Sequence, residues 1–281
     1  MSESTTKAAP GATASPTRSV QEFGPAKVGL WAPPIALFIV LIGAWYGLHY
    51  ALGERGFLVP EPHFVLERLF DASAWDDIWS AMLQTTGVAL TGLAIAIVIG
   101  VAWAVLMNQA KWIERTTFPY AVVLQAIPIL AIVPLIGFWF GYDFIARTIV
   151  CVLIALFPIV SNTLFGLQST TRAMDDLFTL KKAGRWTRLI HLQLPAALPA
   201  MFTGLRIAAG MAVVGSIVAD FFFRRGEAGI GLQIDTYRNL LDGEMLYGAI
   251  ILASLLGLAT FWLFGLLSRL VVGSWYRPHS R

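Results

Sequence analysis

The 281-residue chain is 57% hydrophobic and only 13% charged, about half the charged share of an ordinary soluble domain. A soluble chain of this length buries one core, but it does not hide repeated apolar runs of bilayer-crossing length. The net charge of +3 does not indicate nucleic acid, because the basic residues form no stripe and collect at the ends of the apolar runs. The single cysteine, Cys151, sits inside one such run, which leaves no disulfide framework.

Residues 1–26 are rich in Ser, Thr, Ala, Pro and Gly and read as a disordered tail. The first apolar run is too long for a signal-peptide core and reads as an uncleaved helix. The remainder, 27–281, reads as one all-α integral membrane domain of about six transmembrane helices. The spans fall near 31–52, 80–106, 117–140, 145–166, 197–222 and 246–270. At about 1.5 Å per residue each covers the roughly 30 Å hydrocarbon core. Lys and Arg are unevenly placed. The tail, the second loop, the fourth loop and the C-terminus carry thirteen, against five in the alternate loops. The positive-inside rule then sets both termini in the cytoplasm of a multi-pass plasma-membrane protein.

The first outer loop, 53–79, holds Trp75 and Trp79 beside several acids, as an interfacial segment does. The third span carries Pro128 and Pro134, which predict kinks, and Phe138, Trp139 and Phe140 near its outer end suit an interface belt. The fourth loop, about 168–195, is long and organised. Thr170 or Thr171 can cap a helix with Asp175 and Asp176 in its first turns and Lys181 and Lys182 near its end, which complements the helix dipole. Met174, Leu177 and Phe178 share a face at spacings of three and four. Gly184 offers a hinge, and a second short helix carries Trp186, Leu189 and Ile190 until Pro195 interrupts it. Such a pair of amphipathic helices suits either the membrane surface and the bundle, or a cytoplasmic partner. The fifth loop has Gly226, Gly229 and Gly231 and then Leu232, Ile234, Leu240 and Leu241, a mix that suits a short helix lying at the outer surface or dipping into it.

Within the spans, Arg206 and Asp220 bracket thirteen residues, only about 20 Å of helix. They cannot pair within one helix. Either they snorkel in opposite directions or at least one faces the bundle interior or a polar pathway. Ala208, Ala212, Gly215, Ser216 and Ala219 give the fifth span small faces for close packing, which places it centrally. Gln125, Ser161 and Asn162 are uncharged polar groups suited to interhelical hydrogen bonds or to lining a solute path. Gln125, Asn162, Ser216, Arg206 and Asp220 are therefore the pathway candidates. No G-x-x-x-x-G-K-[ST] loop occurs, so the chain does not bind ATP that way. No H-E-x-x-H, Cys/His cluster or G-x-S-x-G elbow occurs either, so an enzymatic role is not expected.

The fourth loop resembles the EAA loop of binding-protein-dependent ABC importer permeases, whose pattern is E-A-A, three residues, G, nine residues, I, one residue, L-P. Anchored on Leu194-Pro195, the pattern sets Asp176-Leu177-Phe178 at E-A-A, Lys182 at the glycine and Leu192 at the isoleucine. The glycine position departs from the pattern, and Gly184 can take over the hinge. Residues 127–141 (IPILAIVPLIGFWFG), 156–167 (LFPIVSNTLFGL) and 194–207 (LPAALPAMFTGLRI) resemble segments of the nitrate/sulfonate/taurine-type branch, with Ile129 where a lysine often stands. The resemblance implies an ATPase-coupling segment at Asp176, Leu177, Phe178, Lys182, Ala183, Gly184, Arg185 and Trp186. It also implies a second permease subunit (most simply another copy of this chain), an ATP-binding subunit that holds ATP and Mg, and an extracytoplasmic substrate-binding protein. The cargo would be a small solute such as an organic anion or a pyrimidine-type precursor. A secondary transporter driven by an ion gradient is the alternative; it explains the spans and Asp220 but not the amphipathic pair.

Overall fold

A computed structural model describes residues 32–53 and 58–273, so the tail predicted over 1–26 lies outside the described residues. Among those described, every regular element is helical. The chain divides into two compact units, 1–47 and 48–281. The first contributes most of α1 (Ala32–Leu52), a helix with no buried residue and no polar face. Such a helix belongs in lipid or a protein core. The second unit holds α2 (Pro62–Leu69), α3 (Ala72–Gln109), α4 (Lys111–Ala126), α5 (Ile129–Phe140), α6 (Phe144–Leu167), α7 (Arg172–Leu180), α8 (Arg185–Arg188), α9 (Leu194–Phe222), α10 (Ile230–Leu240) and α11 (Gly243–Val272). A π-helical turn, Leu189–Gln193, joins α8 to α9.

Five helices are long and apolar enough to cross a membrane: α1, α3, α6, the run from Arg185 to Phe222, and α11. A sixth crossing exists only if α4 and α5 count as one broken span. The span expected over 117–140 is not continuous: α4 and α5 meet at 98°. The break has a local cause. Ile127 is extended, with ψ 127°, as the residue before a proline is driven to be. Pro134 lies inside α5 and does not break it. Trp75 and Trp79, expected in a loop, instead stand on the first turns of α3 and stack with ring centroids 6.2 Å apart. The short helix expected in the fifth loop is α10.

The second short helix of the fourth loop is not interrupted at Pro195. Backbone from Arg185 to Phe222 stays helical, with Pro195 in the first turn of α9. Proline has no N–H to donate and its ring crowds the preceding turn. The π turn sits just before it, where a widened turn accommodates the missing bond.

The core sits where α6 is clasped between α3 and α9. Close approach rests on residues without side chains. A Cβ at Gly92 of α3 would lie 2.4 Å from Cys151 Cβ, and one at Gly204 of α9 would lie 2.6 Å from the Pro158 carbonyl and 2.7 Å from Asn162 Cβ. Ala208, Ala209 and Ala212 continue the α9 face against Ala155 and Ile159. In lipid, where apolar burial gives little driving force between helices, such backbone proximity supplies the packing. Gly204→Leu is therefore expected to force α6 and α9 apart and cost about 1–3 kcal/mol. Thermal unfolding in detergent should show a lowered midpoint, with Gly210→Leu, where a Cβ meets open space, as the neutral control.

Candidate functional site

Two regions collect the polar residues, one at each end of the bundle. At the end that holds the α6–α9 connection, α7 stands out from the helices. Thr171 occupies its N-cap position but makes no side-chain cap bond. Thr170 Oγ1 instead donates to Asp175 Oδ2 at 3.2 Å. Met174 and Leu177 are exposed and Phe178 is half-buried, so the three residues expected to share a face do not share one environment. Asp176 is exposed.

The chain then turns at Lys182, not at Gly184. Lys182 has φ 51°, whereas Gly184 is extended at φ −67° and serves as N-cap of α8. Ala183 N–H donates to the Phe178 carbonyl at 3.0 Å and Lys182 N–H to the Thr179 carbonyl at 2.9 Å. This pair of bonds is the Schellman closure, whose left-handed residue is usually glycine. The backbone thus adopts the left-handed conformation that glycine usually supplies at such a turn, with a lysine in its place. Arg188 Nη2 donates to Thr179 Oγ1 at 2.9 Å, tying α8 back to α7. Arg185 and Trp186 are exposed and Ala183 is half-buried. Asn108 at the end of α3 donates to Gln193 Oε1 at 2.8 Å. A cleft of about 630 Å³ opens beside that bond, with Lys111, Arg115 and Asp175 in its walls.

At the opposite end, Asp220 of α9 pairs with Arg147 of α6 at 3.2 Å, and both side chains are 1% exposed. Arg147 also donates to three carbonyls of the α9–α10 connection: Phe223 at 2.7 Å, Arg225 at 2.9 Å and Glu227 at 2.7 Å. Asp220 Oδ2 accepts from Gly231 N–H at 3.2 Å. Thr85 of α3 accepts from Ile230 N–H at 2.8 Å through its hydroxyl, and its carbonyl accepts from Ser216 Oγ at 3.3 Å. A Cβ at Gly229 would fall 2.1 Å from Asp220 Oδ2, so only glycine lets the loop reach the carboxylate. Beyond this knot, buried Asp235 of α10 binds the guanidiniums of Arg224 and Arg238.

The pathway candidates therefore separate. Ser216 and Asp220 come together with Arg147 inside the α3–α6–α9 junction, buried and bonded, so neither lines an open surface of the chain. Asp220 does not snorkel outward. Asn162 is half-buried and its amide donates to the Pro158 carbonyl of its own helix at 2.8 Å. Gln125 is exposed at the end of α4, and Arg206 stacks on Phe261, 4.5 Å from the ring centroid. Arg147 was missed from sequence. An arginine three residues inside an apolar span, with no acid on its own helix, was the available signal.

Removing one member of a buried pair leaves an uncompensated charge, at a cost of about 3–5 kcal/mol. Arg147→Ala and Asp220→Ala should each lower the unfolding midpoint sharply, and the double variant should lose less than the sum of the two. Additive losses would mean the pair does not act as a unit.

Residues 96–273 match the family described as binding-protein-dependent transport system inner membrane component. The chain is 31% identical over 255 residues to the riboflavin transport system permease protein RibX of Chloroflexus aurantiacus, covering 91% of this chain and 93% of that one. It is 32% identical over 228 residues to the formylaminopyrimidine transport permease protein ThiX of Halalkalibacterium halodurans, covering 81% and 90%. A chain from the crystal structure of an amino acid ABC transporter with histidines superposes with a TM-score of 0.57 at 18% identity, covering 71% of this chain and 96% of that one. The chain therefore belongs to the binding-protein-dependent inner membrane component family, the non-catalytic permease subunits of ABC-type importers for small solutes.

Proposed function

We propose that the chain couples ATP hydrolysis in a separate subunit to solute import through α7 and α8. The observation that carries this reading is the join between loop and core. Helical backbone runs unbroken from Arg185 to Phe222, and α9 packs on α3, α6, α10 and α11. A partner that moves α8 thus moves a central helix, with no flexible linker to absorb the displacement. Asp176, Leu177, Phe178, Lys182, Ala183, Gly184, Arg185 and Trp186 form the proposed coupling segment, 168–195, on the cytoplasmic side of the plasma membrane. Both termini lie on that side. ATP and Mg bind the partner ATPase, whose closure shifts the permease between states by its differential affinity for them. An ion-gradient-driven transporter leaves the exposed α7 face without a role, and family membership favours the ATP-driven reading.

A second copy of this chain completes the pathway in this proposal. Large apolar side chains are exposed on α5 (Leu135, Phe138, Trp139) and on α9 (Ile207, Met211, Val214), and a twofold partner or lipid must cover them. A substrate-binding protein delivers the solute at the end capped by Arg147 and Asp220. The relatives are named for riboflavin and formylaminopyrimidine, others for aliphatic sulfonates and nitrate. The proposed cargo is a pyrimidine-type precursor or a small organic anion, within the nitrate/sulfonate/taurine-type branch.

Met174, Leu177 and Leu180 are exposed by 51, 45 and 82%, so they are the apolar contacts available to a groove, with half-buried Phe178 behind them. A buried Leu truncated to Ala costs about 2–5 kcal/mol in a core, and about 1.4 kcal/mol is tenfold. Leu177→Ala is expected to leave the permease folded but lower recovery of the ATPase subunit by about tenfold, and Phe178→Ala should abolish substrate-stimulated hydrolysis. Normal recovery and normal transport in both would make the loop a membrane-surface element. Reporter fusions near residue 65 and at the C-terminus should report opposite sides of the membrane; a shared side would overturn the assigned orientation.

A further inference from the structure

Arg206 lies within the long apolar helix α9 and, unlike Arg147 of α6, has no acidic partner among the described residues. It stands twelve positions after the first residue of α9, about 18 Å along a helix long and apolar enough to cross a membrane, and lies beside α11 about two turns before that helix ends. It makes no ion pair among the described residues, and its Nε is buried without a hydrogen-bond partner. Its guanidinium lies over Phe261 at 4.5 Å from the centroid. It passes α11 at Gly265, where a Cβ would come within 3.1 Å of Nε. One helical turn further along α11 stands Arg269, exposed and likewise without an ion pair among the described residues.

Both arginines line one groove of about 590 Å³ between α9 and the last turns of α11, and its remaining wall includes Trp262, Leu263 and Leu266. Those three side chains are 68, 49 and 55% exposed. A cation at this depth is costly unless it meets a counter-charge, and stacking on one aromatic ring offsets only part of that cost. The groove therefore combines two donors for an anion with an apolar wall open to the hydrocarbon. A free anion would satisfy the arginines and leave the wall bare. A molecule with a phosphate head and acyl chains satisfies both, and basic pockets between membrane helices hold such headgroups. α11 runs antiparallel to α9, since Gly265 meets Arg206 and Gly257 meets Val213. The groove thus opens toward the leaflet beside the α7–α8 loop.

We propose that this groove binds an anionic phospholipid, with its phosphate held by Arg206 and Arg269 and an acyl chain laid along Trp262, Leu263 and Leu266. The bound lipid would supply the counter-charge that no side chain among the described residues gives Arg206, and it would bridge α9 to α11. The proposal does not depend on the coupling role of α7 and α8.

The test uses the full-length permease, delipidated in neutral detergent with whatever subunits it retains, and reads thermal stability during lipid titration. Phosphatidylglycerol should reach half-maximal stabilisation at a concentration about tenfold lower than phosphatidylcholine does. Arg206→Gln with Arg269→Gln should reduce that preference to about twofold or less, whereas Arg206→Lys with Arg269→Lys should keep most of it. Should the double glutamine variant fail to fold, Arg269→Gln alone, at an exposed position, should still reduce the preference about threefold. Equal response of the wild-type protein to both lipids, or an undiminished preference in the glutamine variants, would overturn the proposal. Equal stabilisation by inorganic phosphate alone would assign the arginines to a free anion and overturn it as well. A change in oligomeric state of the glutamine variants without loss of lipid preference would make the groove a subunit contact.

Discussion

Burial of the Arg147–Asp220 pair at 1% exposure is the constraint on which the rest of the far end depends. Neither charge can be there alone, because an ion taken out of water retains a penalty of several kcal/mol even after relaxation. Satisfying both requires more than the pair itself. The guanidinium needs carbonyls, and the α9–α10 connection supplies three. The carboxylate needs an N–H, and Gly231 brings one. The chain between Phe223 and Gly231 is therefore shaped by the electrostatic demands of a residue far back in the sequence. Gly229 follows from the same demand, since any side chain there would collide with the carboxylate. The knot also fastens α3 through Thr85, so three crossing helices and the start of a fourth element share one polar junction.

The opposite end is built on a different principle. There a small apolar cluster of Leu167, Leu189 and Ala197 and a few uncharged hydrogen bonds hold the elements, with no buried ion pair among the described residues. α7 is held by its Schellman turn and by the Arg188–Thr179 bond, and it presents apolar side chains to the outside. The π turn before Pro195 keeps α8 in line with α9. A bundle that is pinned at one end and open at the other suits an importer permease, because a displacement applied at the open end pivots about the fixed one. Cys151 illustrates the tightness between the two ends. Its thiol donates to the Ala212 carbonyl at 3.3 Å, and Gly92 and Gly215 approach it from either side. There is no slack there for a side chain to move into, so rigid displacement of whole helices is the accessible motion.

Lys182 shows that a helix-ending turn need not fall on the nearest glycine. A Schellman closure asks for a left-handed residue, and Lys182 supplies it at φ 51°. The local clash of Cβ with the backbone costs about 1–2 kcal/mol in that region, and Lys182 bears it at an exposed position. Gly184, which is extended, has no need to be glycine on conformational grounds. The turn was locatable from spacing, and the identity of the turning residue was not, because sequence shows which residue prefers φ > 0 and not which one is made to adopt it.

The all-α fold and five of the apolar spans followed from composition and apolar run length alone, because a bilayer imposes its thickness on every crossing helix. The amphipathic helix α7 between α6 and α9 followed from helical periodicity, and the short helix before α11 from the apolar residues after its glycines. Pro128 and Pro134 predicted kinks in the third span; the chain breaks by 98° at the first, where Ile127 is extended, and runs through the second as unbroken helix. The partner of Asp220 could not be read, since Arg147 lies 73 residues away on another helix and sequence distance carries no information about which buried charges meet. The roles of Ser216 and Asn162 were undecidable for the same reason. A polar residue in an apolar helix must bond to something, and only the packing of the helices decides whether that something is a neighbouring backbone, a solute or, as we infer for Arg206, a lipid.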